Sequence, residues 1–231
     1  MNRGQKKECK GVIIMEEMIE LAKSIGTIIA EIILVVYFCF KYINNMVKNT
    51  NDIAKGVKSQ NDIDIELINK MDYYKELLNA DRILIFEFHD GQHYSKYRHA
   101  LKMSASYEVF RAGLNSSREQ CSNLPVAIMP NLIHQIVHEG CSVCPNIEDV
   151  KDEMGNTYEF KKSLGIGAWY DVAIRDESGE VIGFIAVQWN SEMPKDVDEE
   201  AIKHLAWFLE EKINYLIKED QKSKKKFLGI F

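Results

Sequence analysis

The longest apolar stretch runs from Ile25 to Phe40, I-G-T-I-I-A-E-I-I-L-V-V-Y-F-C-F, with Glu31 as its only charge. Carried on to Ile43 it approaches the roughly 20 residues that a bilayer-spanning helix needs, with Lys41 able to snorkel. Tyr37, Phe38, Phe40 and Tyr42 set aromatic rings toward one end, as an interfacial belt would. The pattern therefore predicts a transmembrane helix over 25–43, preceded by a basic, amphipathic segment over 1–24. Two other readings stay open: a secretory signal, although N-N-M-V-K-N is no small-residue cleavage site, and a buried helix or coiled-coil stem with Glu31 facing a partner helix. From Asn44 to Leu78 apolar residues recur without a proline, which predicts a helical stalk, interrupted near Gly56–Asn61.

Beyond Leu78 the periods shorten. R-I-L-I-F-E-F-H (Arg82–His89) reads as a strand that Asp90–Gly91 ends, and Leu101–Phe110 reads as a second. Pro125–Glu139 has helical spacing, with Val126, Met129, Leu132, Ile133, Ile136 and Val137 on one face and Gly140 as its cap. A short strand over Cys141–Ile147 and a short helix over Tyr158–Leu164 follow. Ala168–Arg175 and Glu180–Trp189 are apolar runs joined by D-E-S-G, the clearest hairpin signal in the chain. Asp196–Ile217 is amphipathic; Ile202, Leu205, Ala206, Leu209, Ile213, Leu216 and Ile217 form its buried face, and Asp198, Glu199 and Glu200 suit its N-terminal dipole. The expected fold is α/β (α+β): an antiparallel central sheet of five to six strands flanked by helices, preceded by the transmembrane helix and stalk.

Composition narrows the classes. Of 231 residues, 46% are hydrophobic and 28% charged, as in a protein that buries a core. A net charge of −6 argues against a nucleic-acid partner. Five cysteines, with Cys39 inside the apolar segment, do not form a disulfide framework; reduced thiols point to a cytoplasmic soluble domain. Flanking charges leave the topology open. Arg3, Lys6, Lys7 and Lys10 lie on one side, and Lys41, Lys48, Lys55 and Lys58 on the other. The tail over 218–231, K-S-K-K-K-F-L-G-I-F in its last ten residues, suits either an anionic leaflet or a solvated end.

The segments D-R-I-L-I-F-E-F, L-G-I-G-A-W-Y-D-V-A-I-R-D-E-S-G-E-V-I-G-F-I-A-V-Q-W and I-K-H-L-A-W-F-L-E-E-K-I together resemble a GAF domain over residues 79–217. These motifs are hydrophobic patterns around Gly179 and Gly183, so they specify fold more than activity. The resemblance implies a regulatory module that binds a small molecule, such as a cyclic nucleotide, between its sheet and covering loops, and that dimerises through flanking helices. No kinase, cyclase, phosphodiesterase or DNA-binding segment follows in this sequence. The expected role is therefore a ligand binder, a membrane-bound receptor subunit or a regulator of an unidentified effector protein, acting as a homo-oligomer. A structural or partner-docking protein with a non-binding domain is the alternative.

Candidate ligand contacts gather in F-H-D-G-Q-H-Y, which supplies Glu87, His89, Asp90, His93 and Tyr94 at the end of the first strand. Met103, Ser104 and Tyr107 of the second strand join them, as do Trp169, Asp171 and Gln188 of the late hairpin. Aromatic rings can stack on a nucleotide-like ligand while Asp171 or Gln188 pairs with its edge; alternation along each strand turns half of these side chains away. H-Q-I-V-H-E-G-C-S-V-C puts His134 and His138 four apart, with Cys141 and Cys144 close behind, a ligand set compatible with zinc. Against zinc, His134 falls among apolar residues, and Cys141 and Cys144 face opposite ways on an extended segment. No G-x-S-x-G, P-loop or paired-carboxylate spacing is present, so the sequence argues against an enzyme.

Overall fold

A computed structural model describes the backbone of residues 3–95 and 98–227, and the side chains of residues 56–91 and 101–219 with most of those between 18 and 47. The chain divides into two compact units, residues 1–59 and 60–231. The first is helical throughout its described length. Its segment Lys23–Asn44, 22 residues with none of its window buried, is long and apolar enough to cross a membrane. Helix α1 runs from Arg3 to Leu77 without the interruption expected near Gly56–Asn61. One glycine inside a helix costs only about 1 kcal/mol relative to alanine, which neighbouring turns outweigh.

In the second unit, six strands form one antiparallel sheet: β1 (Arg82–Ser95), β2 (Arg98–Phe110), β3 (Leu124–Pro125), β4 (Cys141–Cys144), β5 (Ala168–Arg175) and β6 (Val181–Trp189). Their order across the sheet is β3-β2-β1-β6-β5-β4. Helices α2 (Pro130–Glu139), α3 (Lys151–Met154) and α4 (Asn156–Ser163) fall between strands, and α5 (Glu199–Phe227) closes the chain.

Two boundaries differ from the sequence expectation. Asp90–Gly91 does not end β1, because register shifts after Asp90 and His93 absorb the glycine and the strand continues to Ser95. The helix expected from Pro125 begins at Pro130. Leu124–Pro125 pairs with β2 as a short edge strand and Val126–Ile128 form a 3-10 turn, while Pro130, lacking an N–H, suits a first helical position. Val137 of the expected apolar face is exposed.

Alternation along the central strands makes two cores. Ile83 and Ile85 of β1, Tyr170 of β5 and Ile185, Val187 and Trp189 of β6 pack against Leu67 and Met71 of α1 and Leu205, Leu209 and Ile213 of α5. On the other face, Leu84, Phe86, Met103, Trp169, Phe184 and Ala186 pack against Leu132, Ile133 and Ile136 of α2, Met154 of α3 and Tyr158 of α4. At the centre, Gly183 of β6 lies opposite Glu87 of β1, and a Cβ there would stand 2.1 Å from the Phe86 carbonyl oxygen.

Tyr107 ties the sheet to α1. A bulge between Ile85 and Phe86 turns Tyr107 onto the helix-covered face, where its hydroxyl donates to Asp64 Oδ1 at 2.5 Å. Burial and the Asp64 charge both hold the phenol above its usual range, so it keeps its proton. Tyr107→Phe is expected to cost about 1–2 kcal/mol, read as a shift in the urea midpoint, because a hydrogen bond to a charged acceptor is lost at a half-buried site.

Candidate functional site

The face beneath α2 and α4 holds an unusual amount of buried polarity. Arg82 lies directly opposite Gln188, which lies opposite Trp169; one row along, Glu108, Leu84, Ala186, Asp171 and Ser142 run across the sheet. From above, α4 lowers Thr157 and Lys161, one turn apart, into the same layer. Lys161 Nζ lies 2.8 Å from Asp171 Oδ2, with side-chain exposures of 3% and 0%. The ammonium also sits 4.4 Å from the Trp169 ring centroid, while the indole N–H donates to Ser142 Oγ at 3.2 Å.

Arg82 and Glu108 form the second buried pair, Nε to Oε1 at 3.1 Å. Glu108 also gathers the loop after β2, accepting from the Ser117 N–H at 2.9 Å, the Ser117 hydroxyl at 2.7 Å and the Ser116 hydroxyl. Both pairs are internally neutralised, as buried charges must be. They are nevertheless incompletely satisfied. Asp171 Oδ1, Gln188 Oε1, Thr157 Oγ1 and Arg82 Nη1 are buried with no hydrogen-bond partner, and Arg82 Nε reaches Glu108 as an ion pair without hydrogen-bond alignment. Among the described residues, every such atom belongs to this one face.

Burial raises the Asp171 carboxyl above its ordinary range, and the nearby Lys161 charge works against that rise. Burial likewise pushes the Cys121 and Cys144 thiols up to about 11, so both stay protonated at neutral pH and are poor nucleophiles. Glu108, Arg82 and Lys161 all act electrostatically on Cys121, which sets that thiol beside the cluster.

The expected ligand contacts separate into three places. Trp169, Asp171, Gln188 and Met103 share the α2/α4-covered face, all buried. The face of Trp169 is already occupied by the Lys161 ammonium, so the ring is not a free stacking platform as expected. Tyr107 points to the opposite face, and Glu87 continues the Ile83–Ile85 alternation and acts electrostatically on Tyr107. Glu87 leaves the expected pocket by ordinary alternation along β1, and Tyr107 because the bulge reverses its side relative to Met103. His89 Nε2 meets Ser104 Oγ at 2.9 Å at the rim, and Asp90 is exposed. The side chains of His93 and Tyr94 lie outside the described residues.

Arg82, Glu108, Thr157 and Lys161 were not among the expected contacts. The one signal for α4 was the four-residue step from Thr157 to Lys161 beside buried Tyr158, a polar stripe on an inward face.

The four residues of the zinc reading are not brought together. His134 and His138 are both exposed, with ring centroids 4.5 Å apart, while Cys141 packs toward the first core and Cys144 lies in the second. The odd spacing along β4 sends the two thiols to opposite faces. Among the described residues no group of three or more His, Cys, Asp or Glu side chains is placed to hold a metal ion.

No protein-family model matches the chain, and no curated protein matches it. Among solved structures it is similar to the phycocyanobilin-bound GAF domain of a cyanobacterial phytochrome, at 14% identity over 70% of this chain and 87% of that one, with a TM-score of 0.50. The cyanobacteriochrome receptor PixJ matches at 16% identity over 70% and 97%, with a TM-score of 0.52. The blue-light-absorbing form of the Thermosynechococcus elongatus PixJ GAF domain matches at 16% over 72% and 94%, with a TM-score of 0.50. The fold is that of a GAF domain. In this GAF-like unit the six-stranded antiparallel sheet has flanking helices on both faces, and an apolar helix precedes it in the chain.

Proposed function

We propose that this chain is a membrane-anchored, GAF-like sensory module that binds a small, nucleotide-like molecule between its sheet and α4, and signals through helix-mediated self-association. The observation that carries the reading is the one-sided distribution of unpartnered buried polar atoms: Asp171 Oδ1, Gln188 Oε1, Thr157 Oγ1 and Arg82 Nη1. Native interiors leave few such atoms, and a ligand that completes them offsets their desolvation. Solved GAF domains of the same fold are described as bound to phycocyanobilin and phycoerythrobilin, which supports a small-molecule role for the fold.

Anchoring rests on the bare apolar segment Lys23–Asn44, with the GAF-like unit and its free thiols on the cytoplasmic side. Self-association is supported by large apolar side chains left exposed on the helices of the second unit: Tyr73 and Leu77 on α1, and Trp207, 68% exposed, on α5. Glu31 is the test within the membrane segment. A carboxylate near a bilayer centre costs a few kcal/mol unless it meets a partner. Glu31→Leu is therefore expected to leave insertion intact and to weaken self-association; an unchanged oligomer size in detergent would defeat this role.

Native mass spectrometry of the full chain tests the binding function. A retained small molecule is expected, or thermal stabilisation by one, of about 2.7 kcal/mol at a hundredfold excess over Kd. A closed homo-oligomer that retains no small molecule and responds to none would instead assign the domain a structural, partner-docking role.

A further inference from the structure

We infer that His134 and His138 form a surface chelate for one borderline divalent transition-metal ion, of the copper(II), nickel(II) or zinc(II) class. Helix α2 buries Leu132, Ile133 and Ile136, which turns positions 134 and 138 outward, and both side chains are exposed. A four-residue step is slightly more than one turn, so the two imidazoles lie one above the other on that outer side. Their ring centroids are 4.5 Å apart and the rings are tilted by 40°. Among the described residues neither ring enters a hydrogen bond or an ion pair; each has the other as its neighbour.

The spacing is that of two ligands on one ion. A metal about 2.0–2.1 Å from a nitrogen of each ring, with a right angle between the bonds, sets the ring centres about 4.5 Å apart; a tetrahedral angle needs about 5.3 Å. The observed 4.5 Å therefore suits the tetragonal geometry of copper(II) or nickel(II), and zinc(II) after a small spreading of the rings.

The helix presents the pair on a fixed frame. Pro130 opens α2 and Gly140 caps it in a left-handed conformation. The Gln135 side-chain carbonyl accepts from the Ser142 hydroxyl at 2.6 Å, and the Asn131 amide donates to the Glu153 carbonyl at 2.7 Å. Binding then orders two side chains and no backbone, which keeps its entropic cost low. His138 lies in the last turn, where the helix dipole favours a cation, and the exposed Glu139 carboxylate beside it acts in the same direction. Two imidazoles do not close a coordination sphere. The remaining positions belong to water, so the site is open and exchangeable, unlike a four-ligand structural zinc site. Cys141 and Cys144, which face the two cores, take no part.

Titration calorimetry with Ni2+, on the full chain in detergent and without a polyhistidine tag, tests the site. Ni2+ avoids the thiol oxidation that Cu2+ would bring. His134→Gln and His138→Gln are each expected to weaken Ni2+ binding at least tenfold, because a chelate fails when either ligand is lost. Mg2+, which takes oxygen ligands, is expected not to bind there. Glutamine is a good helix former and both positions are exposed, so the metal-free melting temperature should stay unchanged in both variants. Saturating Ni2+ should raise that temperature more in the parent chain than in either variant.

A parent chain that binds no Ni2+ overturns the inference. So does Ni2+ affinity unchanged in either variant, since the ion would then lie elsewhere. Two variants that each keep the parent affinity at reduced stoichiometry also overturn it, because independent imidazoles behave in that way. None of these outcomes bears on the small-molecule reading, which native mass spectrometry tests separately.

Discussion

Replacing Lys161 with methionine is expected to lower the unfolding free energy by about 3–5 kcal/mol, the cost of leaving one member of a buried ion pair uncompensated. Asp171 is fully buried, and its Oδ2 has the Lys161 ammonium as partner while Oδ1 has none. Without the ammonium, both oxygens would be orphaned in the second core. The double variant Lys161→Met/Asp171→Leu removes both charges and is expected to recover most of the loss, so a double-mutant cycle isolates the pair.

The deficit of the single variant also depends on pH, in a direction fixed by Asp171. Burial holds its folded-state pKa above the unfolded value, so the folded protein binds that proton more readily. The associated stability is fully present below the unfolded pKa and is lost as pH rises through the folded one. Removing Lys161 deletes the opposing influence and raises the folded value further. The gap to the parent protein should therefore narrow as pH is lowered from neutrality toward the ordinary carboxylate range, read by urea denaturation at each pH. A constant gap would mean that Asp171 is not the group left unpaired.

Gly183→Ala should be comparably damaging for an unrelated reason. The added methyl would lie 2.1 Å from the Phe86 carbonyl oxygen and 3.1 Å from Glu87 Cα, both main chain of the adjoining central strand. Neither can rotate aside, so β1 and β6 must separate where Phe86 and Phe184 stack with centroids 4.6 Å apart. About 3 kcal/mol is expected, or on the order of 10 °C in melting temperature for a unit of this size. A loss below about 1 kcal/mol, within the range of an ordinary strand glycine substitution, would show that the strands yield more easily than their packing implies.

Much of the sheet was legible because its signals are local. The D-E-S-G turn and its flanking runs fall where the β5–β6 hairpin stands, and the spacing from Ile202 to Ile213 marks the buried stripe of α5. Trp169, Asp171 and Gln188 were legible as neighbours for the same reason, since period two places them on one face of adjacent strands. What stayed hidden depends on register and long-range pairing. The bulge at Ile85/Phe86 sends Tyr107 away from Met103, and nothing in F-K-K-S says that Lys161 turns inward to Asp171 while Lys162 stays at the surface. The partnership of Arg82 with Glu108 likewise needs the β1–β2 hairpin register before the two meet.

The three tryptophans occupy three different surroundings. Trp169 lies under the Lys161 ammonium in the α4-covered core, Trp189 lies in the opposite core with its N–H toward the Leu78 carbonyl, and Trp207 is on the surface of α5. The protein thus carries built-in optical reporters for its α4-covered layer, its helix layer and its outer face. Acrylamide should extinguish the Trp207 emission first and leave a shorter-wavelength remainder. Within that remainder, a small molecule that disturbed the Lys161 cation over Trp169 would change the Trp169 component, whereas a second chain covering α5 would instead shield Trp207 from the quencher.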